Sequence, residues 1–216
     1  MPTRKPQYPA HDAFTRLLQR QPFDTKALGQ EAERFVDKRR GLLVPDDTTL
    51  DKPHAPKMER VTYHWSGKHQ RVVKGLALLT WLWTAGKALI PWDFRVYDQP
   101  ISGQRKNEHF RAMLREAKER DFEPEYVLMD RWYSGLENLK LIASLGWLFL
   151  TRLKSNRMVH PDGKGNGPIS SVDLPTGGRV VHPRGFGFVK GFRTVSRGSA
   201  ASRSPLPPQR SDAPCP

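Results

Sequence analysis

Two short apolar runs in this chain end in carboxylates. Leu42-Leu43-Val44 passes through Pro45 into Asp46, Asp47, Thr48, Thr49, Leu50 and Asp51, and Tyr126-Val127-Leu128-Met129 runs into Asp130. Runs of about four apolar residues suffice for a core strand, and the β-branched threonines suit extended backbone. A carboxylate beside a core is costly unless it caps a turn, pairs with a cation or holds a metal. For the Asp46-Asp47 pair alone, capping of the turn at Thr48 is the plain reading. A second acid at the end of another strand changes that reading, because strand-end carboxylates are what two-metal phosphoryl transfer needs. There, two divalent ions about 3.5–4 Å apart are bridged by carboxylate, one activating the attacking oxygen and the other steadying the leaving oxygen. A sheet supplies the rigidity that such a site requires.

The elements that must position these acids follow from periodicity. Residues 1–10 carry three prolines and two basic residues and read as an arm. Phe14, Leu17 and Leu18 then share a helical face, as do Leu28, Ala32, Phe35 and Val36, with Lys38-Arg39-Arg40 in the last turn and Gly41 as the C′ glycine. Residues 58–65 and 70–81 read as extended, joined through Ser66-Gly67-Lys68, the second so apolar after Arg71 that cover on both faces is expected. Thr84-Ala85-Gly86 turns the chain into a further strand over residues 88–97. A helix over residues 107–120 places Phe110, Met113, Leu114 and Ala117 on one stripe. After Asp130, Ser134-Gly135-Leu136-Glu137 fits a capping box for a helix that runs to a C′ glycine at Gly146, and residues 147–153 form a last strand. The predicted order is three strands, helix, strand, helix, strand, an α/β domain. Pro45 is out of place in a central strand, so the chain is expected to bulge or leave the sheet there.

With 36 Lys+Arg against 22 Asp+Glu in 216 residues, the net charge is +14 and the pI about 10.2. That balance points to a polyanionic partner, nucleic acid ahead of an anionic membrane. The longest apolar run, residues 75–85, is too short to span a bilayer. The start lacks the apolar core of a secretory signal, and Cys215 is the only cysteine, so no intrachain disulfide framework exists and a reducing cytoplasm is expected. Its proline-flanked position argues against a nucleophile. The seven histidines are scattered and no zinc spacing occurs. Asp162-Gly163-Lys164-Gly165-Asn166-Gly167 has its lysine misplaced for a Walker loop and reads as a turn.

Four ordered motifs, Pro45-Asp46-Asp47-Thr48-Thr49-Leu50-Asp51-Lys52, His64-Trp65-Ser66-Gly67-Lys68-His69, Met129-Asp130-Arg131-Trp132-Tyr133-Ser134 with Glu137-Asn138-Leu139, and Leu150-Thr151-Arg152-Leu153-Lys154-Ser155-Asn156, resemble the DDE transposases of bacterial insertion sequences, in the IS-four-like group. The resemblance runs from about residue 10 to 195. It implies a ribonuclease H-like mixed sheet of order βββαβαβ with a short helical lead-in over residues 1–41, a core over 42–156 and a β-rich insertion over 157–195. It assigns the first catalytic, metal-holding acid to Asp47, with Asp46 as the alternative, and the second to Asp130, around Mg²⁺ or Mn²⁺. The third, a glutamate on a later helix, has no counterpart, and Glu137 sits too early to replace it. Residues 196–216 have no apolar periodicity and are expected to be disordered. A reading-frame slip accounts for such a tail, since codons for Gln209-Arg210-Ser211-Asp212 shifted by one base can spell the Asn-Asp-Leu segment of similar proteins.

The resemblance further implies a DNA transposase that cleaves phosphodiester bonds at terminal inverted repeats and directs the freed 3′ hydroxyl at target DNA, as a homodimer in a DNA complex and nucleoid-associated in a bacterial cytoplasm. With one carboxylate of three missing, the chain is expected to be inactive by itself. Lys68, His69, Arg71, Arg131, Arg152 and Lys154 are candidates to neutralise phosphates, and Trp65, Trp132 and Tyr133 to offer flat faces to an unpaired base. The plain alternative is that the aromatics are core and the cations solvated. Two other functional readings stand beside this one: a non-catalytic DNA-binding protein that occupies transposon ends and inhibits transposition, and an unfolded relic.

Overall fold

The computed structural model describes residues 25–55, 57–86, 88–161, 165–193 and 200–203, with Arg16 and Arg20. The expected proline-rich arm, the face of Phe14, Leu17 and Leu18, Asp162 to Lys164 of the glycine-rich turn, and Cys215 lie outside them.

Five strands form the core of a mixed sheet. Strand β1 (Leu42–Asp51) is central, flanked by antiparallel β3 (Arg71–Ala85) and parallel β5 (Tyr126–Met129). Beyond β3 lies antiparallel β4 (Ala88–Tyr97), and beyond β5 lies parallel β6 (Leu148–Arg152). A four-residue helix α2 (Gln99–Ser102) and the long helix α3 (Lys106–Glu119) connect β4 to β5, and α4 (Leu136–Ser144) connects β5 to β6. This is a ribonuclease H-like arrangement, and the expected order is present in β1, β3, β4, α3, β5, α4 and β6. The extended reading of residues 58–65 corresponds to β2 (Thr62–Ser66), which pairs with the first five residues of β3 and lengthens the hairpin between β1 and β3.

The core lies between the sheet and α3 and α4. Leu43, Leu79, Trp81, Trp83 and Val127 come from the strands, and Phe110, Met113, Leu114, Leu139 and Ile142 from the helices, all at most 2% exposed. Phe110, Met113, Leu114 and Ala117 form the buried stripe of α3, as their spacing predicts. The opposite face of β3 departs from expectation. Leu76, Leu78 and Leu82 are only half-buried and Val72 is exposed, so the run is covered on one face and its leucines border solvent on the other.

Other local expectations are corrected. The first described helix, α1 (Thr25–Glu33), stops well short of Gly41 and leaves Phe35 exposed. Gly41 serves a close approach instead: a Cβ there would overlap the Trp83 ring, whose Nε1 donates to the Asp37 carbonyl at 3.0 Å. The capping box at Ser134 does not form, because Gly135 is the N-cap and the Ser134 hydroxyl turns back to the Arg131 carbonyl at 2.7 Å. Gly146, at φ 79°, ends that helix as expected. Pro45 neither bulges nor leaves β3, since its pairing with Trp81 falls in an unshifted register from Leu42↔Thr84 to Asp51↔Gly75. Pairing with β5 spans Leu42 and Leu43 and ends ahead of the proline, which has no N–H to continue a ladder.

The β-rich segment past β6 contains β7 (Met158–His160), β8 (Gly167–Pro168), β9 (Arg179–Pro183) and β10 (Val189–Arg193). A further strand β11 (Ala200–Arg203) pairs with both β10 and β6. Those four residues correct the expectation of a disordered tail. They lack apolar periodicity, and their backbone pairs with both neighbouring strands. The rest of the tail lies outside the described residues.

A register shift between β3 and β4 leaves Trp92 unpaired between Asp93, opposite Trp81, and Pro91, opposite Leu82. Such a bulge re-aims side chains, and here two successive residues are buried, Trp92 at 0% and Asp93 at 3% exposed. Burial raises the Asp93 carboxyl above its ordinary value near 3.8, Arg95 opposing. A group whose folded pKa is raised stabilises the fold when protonated and loses that contribution as pH rises through the folded value. Replacing Asp93 by Asn, neutral at every pH, is therefore expected to give a variant that matches the parent near pH 3.5 and melts above it at pH 7. Thermal unfolding at both pH values reads this; a gap that is constant with pH rejects it.

Candidate active site

Asp130 directly follows the end of β5, whereas Asp46 and Asp47 lie midway along β1, which does not end at the acids as expected but runs on to Asp51 in pairing with β3. Alternation along β1 puts Asp47 on the helix-covered face with Leu43 and Pro45, and Asp46 on the other. The parallel register Leu42↔Tyr126, Leu43↔Val127, continued along both strands, sets Asp46 level with Asp130. Asp130 leaves β5 as the N-cap of a 3-10 turn, Arg131–Tyr133, and its carbonyl accepts from the Tyr133 N–H at 3.0 Å and the Thr151 hydroxyl at 3.4 Å. Burial raises the Asp46 carboxyl, the Asp47 N–H opposes this, and the charges of Asp47 and Asp130 add to the rise. The Tyr133 hydroxyl is pushed far above its usual range, by burial first and then by Asp47, Asp46 and Asp130.

Asp47 has a cationic partner that the sequence reading missed. Lys106, the first residue of α3, reaches across to the Asp47 carboxylate with Nζ on Oδ2, and its ammonium lies 5.5 Å from the centre of the Tyr97 ring. The same ammonium helps lower the pKa of neighbouring His64, after burial. A lysine at a helix start opposes the macrodipole, which is the one sequence signal that marked it.

The turn that carries Asp130 is tied on several sides. Asn138, buried at 1% exposure in the first turn of α4, donates to the Tyr133 carbonyl at 3.0 Å and to Asn107 Oδ1 at 2.7 Å. Arg111 donates to Asn138 Oδ1 at 3.1 Å and pairs with Glu137 at 3.0 Å. Arg157 donates to the Ser134 carbonyl. Glu137 is thus an exposed surface partner of Arg111.

Beside this turn lies a cleft of about 500 Å³ lined by Arg131, Lys154, Arg157 and Arg184, with Trp132, Asn107 and Asn156 among its other walls. Among the described residues no carboxylate lines it. Lys154 lies over the exposed Trp132 ring at 5.7 Å. Arg157 and Arg184 come from the segment beyond β6, whose contribution the sequence did not reveal.

Of the proposed DNA contacts, Arg131 and Lys154 therefore line one cleft next to Asp130, and Arg152 is exposed at the end of β6. Tyr133 is corrected: it is 3% exposed and stacked on Phe110 at 4.7 Å and 14°, a core residue with no free face. Trp65, Lys68, His69 and Arg71 are exposed around the β2–β3 hairpin. Arg71 lies eight positions along β3 from Leu79, the partner of Asp47, which at roughly 3.4 Å per residue is about 27 Å. The fold does not bring that group to the acids.

Carboxylate oxygens from adjacent strands are the hard donors that Mg²⁺ and Mn²⁺ take, and Mg²⁺ is commonly held by one or two carboxylates with water and substrate phosphate completing its shell. Among the described residues no three metal-ligating side chains converge. The donors present fit a cation whose shell is completed by water and substrate, and do not form a closed protein cage.

The fold thus places Asp130 and its turn beside a basic cleft. The chain belongs to the DDE superfamily endonuclease family, whose model matches residues 3–187. No curated protein matches it. The solved structures it is similar to include two transposase complexes. The piggyBac transposase synaptic complex with hairpin DNA shares 11% identity at a TM-score of 0.48, over 76% of this chain and 32% of that one. The Drosophila P element transposase strand transfer complex shares 12% at 0.35, over 64% and 30%. The chain thus spans about a third of the length of the solved chains it matches.

Proposed function

We propose that this chain acts on DNA in transposition, with Asp130 after β5 and Asp47 (or Asp46) on β1 holding a divalent cation and the neighbouring cleft holding the DNA backbone. The observation that carries the reading is the juxtaposition of a carboxylate centre and a four-cation, acid-free cleft on either side of one 3-10 turn. Arg131, Lys154, Arg157 and Arg184 neutralise consecutive phosphates, and Asn107 and Asn156 offer neutral hydrogen bonds between them. The chemistry that the cation supplies is polarisation of a phosphoryl oxygen. Asn138 and Arg157 hold the turn so that Asp130 keeps its place. The DNA in this reading is the terminal repeat of a mobile element and its target, met as a homodimer in a reducing cytoplasm.

Among the described residues no group of three metal-ligating side chains forms around Asp47 and Asp130, so binding without cutting is expected of this chain alone. The test is calorimetric Mn²⁺ titration, with nicking of end-containing DNA measured in parallel. Saturable binding that Asp130→Ala removes, with no nicking, supports the reading. A folded protein that takes up no Mn²⁺ rejects the metal assignment, and robust Asp130-dependent nicking rejects the expected inactivity. A second reading, occupation of transposon ends in competition with an intact transposase, is favoured by a cleft whose described lining carries four cations and no metal-ligating carboxylate. It requires end-specific binding that survives Asp47→Ala, where purely electrostatic binding shows no preference for ends.

A further inference from the structure

Lys106 is poorly placed for a residue whose only role is structural. It is the first residue of α3, next to Arg105, where the helix dipole favours anions, and Glu108 answers it only by accepting the Arg105 N–H at 2.6 Å. Its side chain is nonetheless four-fifths covered, with 21% exposed against 30% for Asp47. It is steered by the Tyr97 ring at 5.5 Å, and Tyr97 is itself held by Gln99, which accepts from the hydroxyl at 3.0 Å. A locally unfavourable residue held by a purpose-built environment marks a functional position. What the environment accomplishes is to set one positive charge on one acid of the site.

We propose that Lys106 is the standing counter-ion of Asp47 and exchanges with a divalent cation there, the freed ammonium passing to a phosphate of bound DNA. The inference rests on the reading of Asp47 as a metal-holding residue. Its logic is occupancy. The Oδ2 atom that accepts from the ammonium would have to share its lone pairs with a cation placed there, and two positive charges a few ångströms apart repel. Without metal, Lys106 offsets the mutual repulsion of Asp46, Asp47 and Asp130. With metal, the ammonium must move, and the bound DNA supplies the nearest new anions. Metal and DNA then favour each other, and by linkage each strengthens the other's binding equally.

The experiment is Mn²⁺ calorimetry on the full chain, its Lys106→Met variant, which keeps the stem without the charge, and Lys106→Arg, which keeps the charge. Circular dichroism checks that each is folded. Removing the ammonium is expected to tighten Mn²⁺ binding at least about ten-fold, a sign that loss of a structural contact does not produce, with Lys106→Arg within about three-fold of the parent. DNA affinity measured by anisotropy with and without Mn²⁺ is expected to rise with metal in the parent and to lose most of that rise in Lys106→Met. Unchanged or weaker Mn²⁺ binding by folded Lys106→Met overturns the exchange while leaving the Asp130-dependent site intact. If neither parent nor variant takes up Mn²⁺, the metal reading and the exchange fall together.

Discussion

Replacing Arg131, Lys154, Arg157 and Arg184 together by alanine is expected to lower affinity for DNA by about three orders of magnitude at 0.1 M salt. It is also expected to flatten the slope of log affinity against log salt by about 3.6. The reasoning is electrostatic. Each lysine or arginine that neutralises a phosphate releases a condensed counter-ion, and these four cations face one cleft with no carboxylate among them. Single replacements are expected to remove about 0.9 of slope each, so a graded series identifies which cations touch phosphate. Arg157 also ties the Ser134 carbonyl, which makes Arg157→Lys the needed companion: retained slope with reduced Mn²⁺ affinity would assign it to the turn. The control is the β2–β3 hairpin, where Lys68→Ala with Arg71→Ala removes two charges about 27 Å along the strand from Asp47. Filter binding across a salt series reads both. A folded four-fold variant with the parental slope would remove the cleft from the DNA path.

The largest stability effect is expected at Trp81. Its side chain is 1% exposed and meets Trp92 edge-on at 6.3 Å and Phe110 at 5.3 Å. Trp81→Ala should cost about 3–5 kcal/mol, since a cavity of that size is only partly refilled. The same change is expected to weaken the site. Trp81 is the β3 partner of Pro45, two residues before Asp47, and it supports Phe110, on which Tyr133 is stacked three residues past Asp130. Both acids thus lean on one indole. Chemical denaturation reads the first effect and Mn²⁺ affinity in the folded variant reads the second. A loss of stability with Mn²⁺ binding unchanged would show that the acids hold their geometry without it.

How far the site was legible depended on whether its parts were local. Asp47 and Asp130 announce themselves because an apolar run that stops at an acid is a pattern within a few residues. The stripe of α3 and the glycine at Gly146 are local in the same sense. Tyr133 was misjudged because its neighbours in sequence, exposed Arg131 and Trp132, are polar or solvent-facing. Its burial is decided by Phe110, twenty-three positions earlier. The box at Ser134 failed for a related reason. The motif was present, but the tight turn after Asp130 turned the hydroxyl to Arg131, and Gly135 began the helix.

By itself, the sequence determined the strand–helix order, the two acids, the basic character and a family resemblance, since periodicity and charge are carried by residues close together along the chain. Only the tertiary structure decided which charges meet. It set Lys106 on Asp47 across 59 positions, gathered Arg131, Lys154, Arg157 and Arg184 around one cleft, and sent Lys68 and Arg71 to the far end of a long hairpin. Sheet register and helix docking act between distant residues. A long-range pair therefore becomes visible only when the packing that creates it is in place.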